Sequence, residues 1–220
     1  MKKVLGFGAA LVDLLAKVDD KWILEANVSK GGMNPVDEAT LRKLLARTEN
    51  PQVVPGGSAC NTIVGVAKLG GRASFVSKVG NDEFGELFAR HLEKCGVENR
   101  MSKSSVATGT VLSAVTPDAE RTMFTFLGAS DEFFASEIFP ELFDDVGILY
   151  LEGYRAYSEE CFETAVQMAH RIGAKTALDF GSFGVVNDCR ALFERLFAER
   201  KIDILIANED EAKAFTGLSE

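Results

Sequence analysis

Five polar residues sit at or beside the ends of short apolar runs, where a chain of alternating strands and helices would gather them. Val146–Leu151 leads to Glu152, Lys175–Asp179 ends on Asp179, and Ile202–Ala207 ends at Asn208, with Glu211 a turn later. Asp13 lies beside an earlier run, Val4–Phe7. Carboxylates and amides accept hydrogen bonds from hydroxyls, and oxygen ligands are what a hard divalent cation takes. The set therefore suggests a site for hydroxyls and a divalent cation. Singly, Asp179 and Asn208 are also the residues a helix cap or turn would use. Three successive strand ends carrying such groups favour the site.

A second feature is "VVPGGSACNTIVGVAKLGG", Val53 to Gly71, which places Gly56-Gly57 before a helical pattern with Asn61 in its first turn. A glycine pair costs backbone entropy, so the bare backbone should serve a purpose. The first N–H groups of a helix have no partner within it, and a small polar ligand could sit against them. Asn61 could both donate to that ligand and accept from it. A tight turn with a close-packed helix would explain one glycine well and two less well. Ser58 is the expected N-cap, and Gly70-Gly71 should close the helix.

The elements that must position these groups follow from the apolar periodicity. Strands are expected at Val4–Phe7, Ala73–Val79, Val146–Leu151, Lys175–Asp179 and Ile202–Ala207. Helices are expected at Asp37–Arg47, Ser58–Leu69, Glu83–Cys95, Ser158–Ile172, around Arg190–Glu199, and at Glu209–Thr216. Such alternation predicts right-handed βαβ units around a parallel sheet, with ligands at its carboxyl edge. Leu11–Val18, and a hairpin of Thr108–Thr116 and Thr122–Leu127 joined by "PDAE", break the rhythm. They should form a small separate sheet over one side.

Composition narrows the partners. Of 220 residues, 24 are basic and 33 acidic, a net charge of −9, so nucleic acid and anionic membrane are disfavoured. Apolar content of 46% with mean hydropathy near zero is that of a globular chain. Cys60, Cys95, Cys161 and Cys189 are scattered, which disfavours a zinc site and fits a reducing compartment. Asp13 interrupts the apolar start, so a first strand and a cytoplasmic protein are expected rather than a signal peptide. "GFGAAL" at Gly6 lacks the third glycine of a dinucleotide fingerprint, and no P-loop motif occurs.

The stretch "PGGSACNTIVGVAKLGGRASFVSKVGNDEFG" resembles the first signature of the PfkB, or ribokinase-like, family of carbohydrate and nucleoside kinases. "LVD" at Leu11–Asp13, "YLEGY" at Tyr150–Tyr154 and "NEDE" at Asn208–Glu211, the family's N-x-x-E, occur in the expected order. The resemblance implies an α/β, three-layer, Rossmann-like fold over 1–220, with a mostly parallel sheet flanked by helices. It also implies a small β lid, inserted at about 11–55 and 101–127. The implied activity is ATP- and Mg²⁺-dependent phosphorylation of a primary alcohol on a sugar or nucleoside, by a monomer or a lid-mediated homodimer. Asp13, Gly56, Gly57 and Asn61 would hold substrate hydroxyls. Leu127, Ala129 and Tyr154 would line the pocket, with Glu152 helping as in sugar-kinase-like members. Asn208 and Glu211 would act near the phosphates and magnesium, Glu211 through a water, with Asp179 close by.

The chain also departs from the family pattern. The family's D-T-x-G-A-G-D signature, which carries the catalytic base, should follow the N-x-x-E helix. The base is therefore expected beyond Glu220, and no residue of this chain is assigned that role. The 220 residues are thus expected to be the N-terminal two-thirds of a kinase and to show no turnover alone. On that reading Ile202–Ala207 and Ala212–Phe215 should expose apolar faces. "LGASDEFF" at Leu127 has Ser130 in place of the motif's last glycine and precedes Glu152, so Asp131 is read as a helix cap. Ala9 stands where nucleoside-kinase members carry an asparagine, although the layout around "VDDKWIL" and "KGGM" is nearest to adenosine-kinase-like members. The alternative is a sugar- or nucleoside-binding protein on the same fold without catalysis.

Overall fold

A computed structural model describes residues 2–218, so Met1, Ser219 and Glu220 of the expected 1–220 domain lie outside the described residues. The central sheet runs Ile204–Ile206, Lys175–Asp179, Val146–Glu152, Lys3–Phe7, Ala73–Val76, Glu98–Asn99, with every neighbouring pair parallel. Side chains alternate across it as the pleat requires. Leu149 and Leu151 join the helices Glu159–Arg171, Phe183–Asp188 and Arg190–Ala198 in one core, which includes Phe162, Phe180 and Phe193. Ile148 and Tyr150 join the helices Ser58–Lys68 and Glu83–Lys94 in the other, built on Ile63, Phe75 and Phe88. The fold is α/β and three-layered, with a parallel sheet flanked by helices. Among the described residues no helix is long and apolar enough to cross a membrane.

The second sheet has the order Gly32–Pro35, Arg121–Phe126, Gly109–Val115, Leu11–Lys17, Gln52–Gly56. One face is covered by the helices Asp20–Glu25 and Glu38–Leu45, through Trp22, Ile23, Leu41 and Leu44 on Leu112, Ala114 and Phe124. The other face, which includes Asp13, Val111, Arg121, Met123 and Thr125, looks onto a cavity.

Several expected elements are altered, each by a contact the local pattern does not contain. Ala73–Val79 is not one strand. It breaks at buried Ser77, whose hydroxyl accepts the Ala10 N–H at 3.0 Å, and Lys78–Gly80 pairs instead with Ser102–Ser104. Gly32–Pro35, poor in β-formers, becomes a strand by pairing with Arg121–Phe126. The helix Phe183–Asp188 escaped the periodicity; Ser182 caps it by accepting the Val185 N–H. The last strand shortens to Ile204–Ile206, which is 41–43% exposed, whereas Phe215 of the last helix packs on Phe180 and Phe197. Ser58 is not an N-cap: Gly57 holds that position and offers no side chain.

Candidate active site

The cavity, about 570 Å³, lies between the second sheet and the carboxyl ends of the strands Lys3–Phe7 and Val146–Glu152. Asp13, Gly57, Asn61, Leu127, Glu152 and Tyr154 line it together. Asp13 reaches it because alternation in Leu11–Lys17 turns Leu11 and Asp13 inward, while Val12, Leu14 and Ala16 are buried on the other face. Its carboxylate makes no hydrogen bond or ion pair to another described residue. Burial raises its pKa above the ordinary carboxylate value, and the nearby Arg121 charge pulls in the opposite direction.

The glycine pair has two different reasons. A Cβ on Gly56, which pairs with Leu11, would overlap the Asp13 carboxylate. Gly57 has φ 96°, a region L-residues rarely adopt, and a Cβ there would lie 2.5 Å from the Ala9 carbonyl oxygen. The helix after Gly57 is capped from a distance. Glu152, 2% exposed, accepts the Ala59 N–H at 2.9 Å on one oxygen and the Ala9 N–H at 2.7 Å on the other. Burial raises the Glu152 pKa, while the two N–H bonds and the Arg155 charge favour its ionised form. Glu152 therefore builds the cavity floor, with both its oxygens already held by backbone. Asn61 is exposed one turn along the same helix, and its side chain makes no hydrogen bond to a described residue. Tyr154 donates its hydroxyl to the Gly181 carbonyl at 3.1 Å.

Several expected site residues are placed elsewhere. Gly56 is buried behind Asp13 rather than on the cavity wall. Ala129 is fully buried, its N–H donated to the Ala107 carbonyl at 2.8 Å. Asp179 accepts the Tyr150 hydroxyl at 2.7 Å and the Gly181 N–H at 3.0 Å, and Thr62 donates to Tyr150 in turn. Asn208, with Glu211, forms a capping box on the helix Glu209–Thr216. Asn208 accepts the Glu211 N–H, while Glu211 accepts both the backbone and the side-chain N–H of Asn208, all at 2.9 Å. Asp179, Asn208 and Glu211 do not line the cavity, and no group of three His, Cys, Asp or Glu among the described residues could hold a metal ion. The base expected beyond Glu220 falls outside the described residues.

The cavity also holds residues that spacing did not single out: Met33, Arg121, Met123, Arg155 and Tyr157. Alternation in the hairpin could have flagged Arg121, Met123 and Thr125 as one face; nothing local marks Arg155. Asp131 does not cap a helix. It lies inside a 3₁₀ turn, Gly128–Glu132, and faces the cavity. The "VGNDEFG" turn serves as a joint: Asp82 accepts the Gly85 N–H and both the N–H and hydroxyl of Thr108, at 2.6–2.8 Å. Burial alone would raise the Asp82 pKa, but these bonds leave it lowered.

The profile of the pfkB family carbohydrate kinases matches residues 25–220. The chain belongs to that family. The pfkB chain is 31% identical over 141 residues to probable fructokinase-5 of Arabidopsis thaliana, covering 62% of this chain and 42% of that protein. Probable fructokinase-7 of the same plant is 28% identical over 183 residues, or 80% and 47% of the two chains. The pfkB chain thus spans under half the length of these relatives. Among solved structures, the adenosine kinase of Sinorhizobium meliloti superposes with a TM-score of 0.90 at 32% identity, covering all of this chain and 68% of that one. A probable sugar kinase of Rhizobium etli CFN 42 gives 0.91 at 29%, with the same coverage.

Proposed function

We propose that this pfkB chain provides the acceptor-binding part of an ATP-dependent phosphotransferase acting on a primary alcohol of a sugar or nucleoside. The observation that carries the reading is Asp13, an unpartnered carboxylate facing a cavity of about 570 Å³ beside Gly57 and Asn61. A half-buried carboxylate accepting two hydroxyls gives charge-assisted bonds, and Asn61 adds a donor and an acceptor. The apolar wall of Met33, Pro35, Val111, Met123 and Leu127 would shed water around the acceptor. Family membership supports ATP as donor, which supplies the transferable phosphoryl group, with Mg²⁺ to offset its charge.

In that reaction a bond forms between the acceptor oxygen and the γ-phosphorus, the bond from that phosphorus to the β-bridging oxygen breaks, and the alcohol proton passes to a base. What this chain contributes is orientation. The family resemblance gives the base to the D-T-x-G-A-G-D signature, a stretch these 220 residues do not contain. Asp179, Asn208 and Glu211 order the strand ends and the N-x-x-E helix. Glu211, oriented by the Asn208 backbone and side-chain N–H groups, would act on a phosphate-bound Mg²⁺ through water. A second reading, a sugar- or nucleoside-binding protein without transfer, draws on the same cavity, because Asp13 and Asn61 can hold an acceptor without a phosphoryl donor.

Calorimetric titration with D-fructose, D-ribose and adenosine, with ATP consumption followed in parallel, tests both. Binding of one of them that is lost in Asp13→Ala supports the acceptor site, and turnover would exclude the binding-only reading. Binding unaffected by Asp13→Ala would remove Asp13 from it.

A further inference from the structure

Asp131 is the surprise of the cavity wall. In the turn Gly128–Glu132 its neighbours Gly128, Ala129 and Ser130 are buried, while Asp131 is exposed and lines the cavity with Asp13. Its carboxylate makes no hydrogen bond or ion pair to another described residue. The turn itself is tightly held. Ser130 donates its hydroxyl back to the Leu127 carbonyl at 2.6 Å, and Lys78 donates to the Glu132 carbonyl at 3.0 Å.

Arg155 fixes the turn from below. Only 4% exposed, it donates to the Ser130 carbonyl at 2.9 Å and the Phe133 carbonyl at 3.2 Å. Its guanidinium also sits 5.5 Å from the centroid of the Phe7 ring. A buried guanidinium is expensive to place, and here both its terminal nitrogens hold carbonyls on either side of Asp131. Arg155 and Lys78 thereby hold the Ser130, Glu132 and Phe133 carbonyls around Asp131, whose own carboxylate lines the cavity. An exposed carboxylate on a rigid turn, without a protein partner, is placed to accept a hydrogen bond from a ligand at little ordering cost.

We propose that Asp131 is a second specificity-determining carboxylate of the acceptor site, with Arg155 as its positioning residue. Together with Asp13 it selects acceptors that offer a further hydrogen-bond donor, either a sugar hydroxyl or an exocyclic amino group. This rests on reading the cavity as the acceptor site. A site built to accept a donor discriminates against analogues that lack one, because the acceptor covered by the ligand is then left unpaired.

The test is calorimetric titration of the 220-residue protein and its Asp131→Ala, Asp131→Asn and Asp13→Ala variants with D-fructose, adenosine and inosine. Inosine carries a carbonyl where adenosine carries its amino group. The expected result is a loss of about tenfold or more in affinity for the bound probe in Asp131→Ala. If adenosine is that probe, its preference over inosine should also collapse; if D-fructose is, the loss assigns the contact to a sugar hydroxyl. Asp131→Asn, which keeps the shape and an acceptor oxygen, should fall between. Unchanged affinity in Asp131→Ala alongside loss in Asp13→Ala overturns the Asp131 assignment alone. No binding of any probe by the parent overturns the acceptor-site reading and this inference with it.

Discussion

The two polar regions of the molecule use the same side-chain types in opposite ways. At the strand ends, Asp179, Asn208 and Glu211 hold their hydrogen bonds within the protein, to Tyr150, Gly181 and one another. At the cavity, the side chains of Asp13, Asn61 and Asp131 hold none to described residues. Glu152 bridges the two classes: it lines the cavity, yet both oxygens cap backbone N–H groups. What separates the two regions is where the hydrogen bonds go rather than residue type: the strand-end groups are oriented by protein partners, and the three cavity side chains are not.

That contrast can be broken by mutation, and Asp13→Ala should have the largest effect. Each charge-assisted bond lost is worth about 1.5–3 kcal/mol, or roughly 10- to 150-fold in acceptor affinity, with thermal stability little changed. A variant that loses stability instead would place Asp13 among the scaffolding groups.

The glycine pair sharpens the comparison inside two adjacent residues. Gly57→Ala should cost about 1–3 kcal/mol of stability, read by urea denaturation, because it strains a positive φ and crowds Ala9. Gly56→Ala meets the Asp13 carboxylate and should mainly weaken acceptor binding. Equal loss of stability in both would end the distinction.

Glu211→Gln tests the satisfied side, with an expected loss of roughly 0.5–2 kcal/mol in stability as the capping box weakens and no change in acceptor affinity. A drop in acceptor affinity measured by the same titration would count against assigning Glu211 to the scaffold.

The smallest effect is one of pH. Burial raises the Asp13 pKa above 3.8, so acceptor affinity should fall on acidification at a higher pH than an ordinary carboxylate would give. The folded state favours protonated Asp13. Its own contribution to stability is therefore full below the unfolded pKa and is lost as pH rises through the raised one. An Asp13→Asn variant should lack that limb of the binding profile. A parent whose affinity is flat down to the ordinary carboxylate range would contradict the raised pKa.

Much of the scaffold was legible. Lys175–Asp179 and Glu209–Thr216 fall where the pattern puts them, and the hairpin around "PDAE" pairs as expected, Arg121 against Val115. The N-x-x-E stretch is a capping box between residues three apart, so its geometry is written locally. Asp13 was marked by its place beside the first strand and by the "LVD" resemblance, and alternation in Leu11–Lys17 puts it on the cavity wall. Ser58 and Asp131 misled for one reason: each is a good cap by type, and type does not say where the turn places it.

By itself the sequence determined much of the alternation of strands and helices and local caps such as the Asn208–Glu211 box, since these act within a few residues. It marked Gly56-Gly57 as bare backbone, but the groups that require it, Asp13 and Ala9, lie more than 40 residues earlier and are brought there by the fold. The tertiary structure decided which carboxylates stay unpartnered. Glu152 caps a helix through Ala59, 93 residues before it in the chain. Arg155 grips a turn 25 residues away, so that Asp131 faces the cavity. Such pairings depend on loops closing and layers packing, and no local periodicity carries that information.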